Sequence, residues 1–183
     1  VLSDIKLIIL DRDGVINEDS EEYIKSPEEF HPLPGSLEAI AALNRAGYTV
    51  TVATNQSGIG RGYYSLKMLE NIHTKMHALL AEKGAHLDAL VYCPHTPEDQ
   101  CACRKPKPGL IQQLLARYPE VPPAQVLLIG DSLRDLEAAW HEKCQAVLVR
   151  TGKGLLTLDK HAEALEDVDV FADLAAVVRT LLR

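Results

Sequence analysis

The sequence predicts an α/β fold, a doubly wound parallel sheet with helices on both faces. Three observations predict it. Short apolar, β-branched runs alternate with amphipathic stretches of helical period along the whole chain. The first run, "KLIIL", is continuously apolar, as a strand buried on both faces requires. The order is strand, helix, strand throughout, so right-handed crossovers join parallel neighbours.

The elements follow in order. "KLIIL" (6–10) is the first strand. "PGSLEAIAALNRAG" (34–47) is a helix, with Ser36 as its start signal and Gly47 as its stop. "YTVTVAT" (48–54) is β-branched and makes the second strand. "SLKMLENIHTKMHALLAEKG" (65–84) is a long amphipathic helix that stops at Gly84. "LDALVYC" (87–93) is the third strand. "PGLIQQLLARY" (108–118) is a helix opened by Pro108. "QVLLIG" (125–130) is the fourth strand, "SLRDLEAAWHEK" (132–143) a helix and "AVLVR" (146–150) the fifth strand. "DVDVFADLAAVVRTLL" (167–182) holds a short strand and a closing helix. The whole reads as a Rossmann-like architecture, in which ligands bind beyond the carboxyl ends of the strands.

Composition narrows the class. The chain has 183 residues, 46% hydrophobic and 25% charged, which suits one domain over 1–183. A net charge of −7 argues against a general nucleic-acid binder, while leaving room for a local cationic pocket. No apolar run approaches membrane-spanning length, so no membrane partner is expected. "KLIIL" is too short for a signal-peptide core and runs straight into acidic residues. The expectation is a cytoplasmic monomer whose thiols stay reduced. There is no internal repeat and no low-complexity tract.

The strand ends carry the chemistry. After the first comes "DRDGVIN", with Asp11 and Asp13 one residue apart. Two adjacent carboxylates are costly unless neutralised, and Mg²⁺ with its preference for hard oxygen ligands would do so. The plain alternative is an Asp-x-Asp-Gly turn. After the second strand comes "TNQSGIGRG". The groups of Thr54, Asn55, Gln56 and Ser57 suit an anion held by hydrogen bonds. The plain alternative there is a Gly-rich loop. After the fourth comes "GDSLRD", where Asp131 sits in reach of the same metal. Asp135 reads as half of a helix-capping pair with Ser132. "CRKPKPG" supplies Arg104, Lys105 and Lys107, and spacing alone does not choose between the two lysines.

Together these motifs resemble the haloacid dehalogenase superfamily of phosphotransferases, from Lys6 to about Arg150. Within it they are most similar to a branch acting on heptose bisphosphates, and the histidinol-phosphate phosphatases share much of the pattern. The resemblance implies Mg²⁺-dependent removal of one phosphate from a small sugar bisphosphate, on the way to surface-glycan precursors. It implies Asp11 as the nucleophile and Asp13 as general acid and base, with its pKa tuned upward. Asp11, the Asp13 backbone carbonyl and Asp131 would hold Mg²⁺. Thr54 and the Asn55 amide would bind the reacting phosphoryl group, and the register of the motif favours Lys105 as its counter-charge. A reading from another class is a non-catalytic zinc-dependent binding module, which intact Asp11, Asp13 and Asp131 disfavour.

Too few residues separate Gly14 from Thr54 for a cap domain. "VINEDSEEYIKSPEEFHPL" can form a flap, and Asp19, Ser20, Glu21 and Glu22 on it match sugar-contacting positions of the family. A bisphosphate needs a second cation. Arg104 is the best candidate because guanidinium grips phosphate bidentately; Arg61 is a second, with a solvated loop arginine as its plain alternative. Finally, Cys93, His95, Cys101 and Cys103 supply four soft or borderline ligands in one loop, spaced C-x-H-x5-C-x-C. Zn²⁺ takes such a set tetrahedrally, and a closed site is structural. The alternative is a set of free thiols near a turn. The resemblance also implies a zinc loop here, shorter than the family's longer versions. Cys144 reads as a small buried hydrophobe. His31, His73, His77, His86, His141 and His161 read as surface or structural.

Overall fold

A computed structural model of the chain describes residues 2–183. All six strands form, and they lie in one sheet of order β3-β2-β1-β4-β5-β6. These are β1 (Leu7–Leu10), β2 (Thr49–Asn55), β3 (Ala89–Cys93), β4 (Val126–Gly130), β5 (Gln145–Val149) and β6 (Val170–Phe171). Every pairing is parallel, with Leu7 opposite Thr49 on one side and Val126 on the other. The order reverses direction at β1, so the crevice between the tips of β1 and β4 is the switch point where such sheets bind ligands.

The two faces explain the continuous apolar runs. Ile8 and Leu10 of β1 face one core, Leu7 and Ile9 the other, and all four are fully buried. The first core is covered by α1 (Ser36–Arg45), α3 (Leu66–Glu82) and α7 (Leu174–Leu181), through Ile40, Leu43, Ile72, Met76 and Val177. The second is covered by α4 (Gly109–Arg117) and α5 (Leu133–His141), through Leu110, Leu114, Leu136 and Ala139. Between β1 and β2 lie only the flap and α1, and no second domain is inserted among the described residues.

Three local expectations are corrected. Ser36 does not cap α1: Gly35 does, at φ 81°, while the Ser36 hydroxyl donates to the Val15 carbonyl at 2.8 Å and ties the flap to the helix. The Gly-rich stretch after β2 folds a one-turn helix, α2 (Ser57–Gly60). A further helix, α6 (Gly154–Lys160), lies between β5 and β6. Its apolar pattern does not announce it, because Leu155 and Leu156 are 64% and 52% exposed.

Candidate active site

Three strands bring their partners to one buried ammonium. Lys105 is 1% exposed, and its Nζ donates to Asp135 Oδ1 at 2.7 Å, Asp11 Oδ1 at 3.1 Å and the Ala53 carbonyl at 2.7 Å. Asn55 clamps its peptide from both sides, accepting from Lys105 N at 3.0 Å and donating to Lys105 O at 3.1 Å. Burial works against the charge on Lys105, but the Asp11 and Asp135 carboxylates outweigh it and raise its pKa. Lys107 is exposed. The choice between the lysines that spacing left open is thereby made by burial.

The carboxylates around Lys105 are unequal. Asp135 Oδ2 accepts from Asp131 N, Ser132 N and Ser132 Oγ at 3.0–3.2 Å. Burial raises its pKa, yet Lys105 and these donors bring it below the ordinary value. Asp11 is pushed up to about 6, by burial first and then by the charge of Asp135, with Lys105 opposing. Asp131 is raised well above the ordinary range, by burial and then by Asp11 and Asp135. Ligand oxygens of Asp11, Asp131 and Asp135 lie within 4.8 Å of one another. Three carboxylates against one ammonium leave a double negative charge, which a hard divalent cation such as Mg²⁺ matches. Asp135 has its acceptors already engaged, so Asp11 and Asp131 are the side chains free to hold such an ion. Gly14, at φ 85°, lets the chain pass beside Asp131, where a Cβ would overlap the carboxylate.

Asp13 faces the other way. Its Oδ1 accepts from Arg12 Nη2 at 2.7 Å, Arg12 Nε at 3.0 Å and Asn17 Nδ2 at 2.8 Å. Its Oδ2 accepts only from Gln56 Nε2, at 3.2 Å. Burial raises its pKa, but the Arg12 charge and these donors overcome it, so the resting carboxyl lies below its ordinary value. That corrects the expectation of an upward shift: the sequence does not show that Arg12, fully buried, turns back onto its neighbour. Arg12 is held in turn by His73 Nε2 at 3.1 Å and by the Phe30 ring, 5.9 Å from guanidinium carbon to ring centre. Burial, then Arg12, lowers His73 to about 3, so it is neutral and accepts the bond.

One residue before Arg104 the character of the site changes. Cys93 ends β3, and its Sγ lies 3.4 Å from His95 Nδ1, 3.6 Å from Cys101 Sγ and 3.0 Å from Cys103 Sγ. Cys103 Sγ is 3.3 Å from His95 Nδ1. No pair is disulfide-bonded. A zinc tetrahedron with Zn–S near 2.3 Å has edges of about 3.8 Å, so the four ligands need to part only slightly to hold Zn²⁺. Burial disfavours the Cys101 thiolate, but the backbone N–H groups of Arg104 and Cys103 prevail and lower it to about 6. The Arg104 N–H reaches Cys101 Sγ at 3.4 Å, which links this cluster to the cationic loop. Cys144 is buried and stands apart.

Known proteins place this arrangement. The HAD-hydrolase-like family model matches residues 102–177. D-glycero-β-D-manno-heptose-1,7-bisphosphate 7-phosphatase of Pseudomonas aeruginosa is 54% identical over 177 residues, 97% of this chain and 98% of that protein. The protein of the same name from Bordetella bronchiseptica is 51% identical, over 98% of this chain and 99% of that one. The chain belongs to the heptose-bisphosphate phosphatase family of the haloacid dehalogenase superfamily. The crystal structure of the Bordetella bronchiseptica phosphatase with magnesium and phosphate superposes at a TM-score of 0.93, with 52% identity and coverage of 97% and 98%.

The strand tips open into a cleft of about 390 Å³. Asp11, Asp13, Asn55, Gln56, Ser57, Lys105 and Asp131 line it, as do Asp19, Ser20, Glu21, Arg61 and Arg104. Glu22 lies outside it, exposed on the flap. Thr54 is 1% exposed, and its Oγ1 accepts from Gln56 Nε2 at 2.9 Å, beneath that lining. Asp135 is the residue whose role sequence reasoning halved: it does close the capping box of α5, and it also pairs with Lys105. Arg12, Arg134 and Lys153 were missed, while His73, read as surface or structural, is buried and holds Arg12. Lys153 donates its N–H to Asp131 Oδ2 at 2.9 Å and places Nζ 3.6 Å from Asp19 on the flap. Only Arg12 had a signal, a cation between two carboxylates in "DRD".

Proposed function

We propose that this phosphatase removes the 7-phosphate of D-glycero-β-D-manno-heptose 1,7-bisphosphate through an aspartyl-phosphate on Asp11. The observation that carries the reading is Asp11 held by buried Lys105 beside Asp131, in a chain half identical to phosphatases named for that substrate. Asp11 attacks phosphorus in line; the Asp11–phosphorus bond forms as the bond to the sugar oxygen breaks. Asp13 delivers a proton to that oxygen from Oδ2, since Oδ1 is filled by three donors. Water then attacks phosphorus, Asp13 takes its proton, and Asp11 is released with inorganic phosphate. An arriving phosphate dianion raises the low resting pKa of Asp13, which couples its protonation to substrate binding. Mg²⁺, held by Asp11, Asp131 and the Asp13 backbone carbonyl, supplies the charge that offsets repulsion between Asp11 and the phosphate.

The remaining residues bind and orient. The Asn55 amide holds the reacting phosphoryl group, with Gln56 and Ser57 beside it, and Thr54 supports Gln56 from beneath. Asp19, Ser20 and Glu21 meet sugar hydroxyls, while the exposed Glu22 is a poor candidate. Arg104, assisted by Arg61, takes the distal phosphate. Zn²⁺ on Cys93, His95, Cys101 and Cys103 fixes the loop that presents Arg104 and Lys105. Residues 1–183 act as one catalytic domain, a monomer in a reducing cytoplasm that keeps those thiols available. The product feeds lipopolysaccharide precursors. Among the described residues no helix is long and apolar enough to cross a membrane.

The test is phosphate release from the β- and α-anomers of the heptose bisphosphate and from histidinol phosphate. The expected order places the β-anomer first. Faster turnover of histidinol phosphate refutes the substrate assignment.

A further inference from the structure

We propose that Arg134 is a specificity-determining residue, which closes a three-guanidinium site for the second phosphate of a sugar bisphosphate. The proposal rests on the substrate reading above and adds a residue to it. Arg134 stands in the first turn of α5, next to Asp135. Asp135 turns inward to Lys105, while Arg134 is exposed and lines the cleft. Arg61 follows α2 and Arg104 follows the thiol loop, so three separate segments bring one arginine each to the same cleft.

Arg61, Arg104 and Arg134 all line that one cleft. Among the described residues no carboxylate pairs with any of the three. Yet the chain has 26 acidic residues against 19 basic ones, so unpaired arginines are not a shortage of partners. Like charges gathered without counter-charge are unfavourable until an anion joins them. Guanidinium is the group best shaped to grip phosphate oxygens in pairs.

The acidic lining residues decide the direction. Asp19 and Glu21 repel a phosphate but accept from hydroxyl groups, and Lys153 already engages Asp19. A ligand with its reacting phosphate at Asp11 therefore lays its hydroxyl face toward the flap. Its second phosphate is left to Arg104, Arg61 and Arg134. A ligand with one phosphate gains nothing from Arg134.

The experiment compares kcat/KM for heptose 1,7-bisphosphate with that for heptose 7-phosphate, in the wild type and in Arg134→Gln. The bisphosphate-to-monophosphate ratio is expected to fall about 10- to 50-fold in the variant, carried by KM. Arg134→Lys is expected to retain an intermediate ratio, and a thermal melt confirms that both variants fold. A ratio unchanged within twofold, or an equal loss on both substrates, overturns the proposal. If the wild type prefers histidinol phosphate, the substrate reading falls separately. The Arg134 ratio is then read on fructose 1,6-bisphosphate against fructose 6-phosphate, with the same outcomes.

Discussion

The thiol cluster and the carboxylate centre touch in sequence and are built by opposite means. Cys103 and Lys105 are two residues apart, and the Arg104 N–H between them bonds Cys101 Sγ. The thiol cluster draws one ligand, Cys93, from the end of β3 and the other three from the loop after it, which holds a single 3₁₀ turn, Pro97–Asp99. The carboxylate centre draws Asp11, Lys105, Asp131 and Asp135 from the ends of three separate segments, each anchored by a buried strand or helix. A loop of this kind depends on its metal for shape. A centre carried by the sheet keeps its shape and depends on its metal for charge. Zinc loss should therefore disturb geometry, and magnesium loss electrostatics.

The sharpest break of this contrast is Asp11→Asn. Phosphate release is expected to fall by at least about a thousandfold, because the proposed nucleophile is gone. The melting temperature should hold or rise, since one of three mutually repelling carboxylates has been neutralised. A residual rate within tenfold of the wild type would exclude the covalent route.

Asp135→Asn strikes the same centre through its scaffold. It leaves buried Lys105 with Asp11 alone and weakens the cap on α5. A loss of about 3 kcal/mol in chemical denaturation is expected, the scale of breaking a buried pair, with turnover down about a hundredfold. Full stability in this variant would show that neither the Lys105 pair nor the cap at Asp135 supports the fold.

Cys101→Ser tests the other region. Removing one zinc ligand should lower the melting temperature by several degrees and raise KM about tenfold, with a smaller change in kcat. Unchanged melting and KM, with zinc shown to be lost, would detach the loop from substrate binding.

The smallest effect is a pH dependence of the magnesium response. Asp11 titrates near 6 in the folded, metal-free chain and near 3.8 in its unfolded form. A raised carboxyl destabilises the fold when it ionises. That cost is absent below about 3.8 and complete above about 6. Added Mg²⁺ should therefore raise the melting temperature more at pH 7.5 than at pH 5, where protons compete for Asp11. An equal shift at both values would remove Asp11 from the site.

Much was legible before the structure. The continuous run "LIIL" required a strand buried on both faces, and β1 is one. The carboxylates, Thr54 and the cations stood at strand ends because parallel sheets bind ligands there. The cysteine cluster was legible because its ligands are local. Arg134 was not: nothing in "SLRDLEAAW" separates it from a solvated helix arginine, and only the cleft does. The resting pKa of Asp13 was misread for the same reason, since Arg12 turns onto it only in the folded chain.

The amino-acid sequence by itself determined the order of strands and helices, and it showed the Cys and His cluster and the carboxylates that stand after the strands. Periodicity and short-range spacing are properties of the chain, and they survive without coordinates. Only the tertiary structure decided that Lys105 rather than Lys107 is the buried cation, that Asp135 both caps and pairs, and that three arginines line one cleft. Those are facts about charges brought together from distant positions. Their energies depend on burial and on distance, and neither exists until the chain has folded.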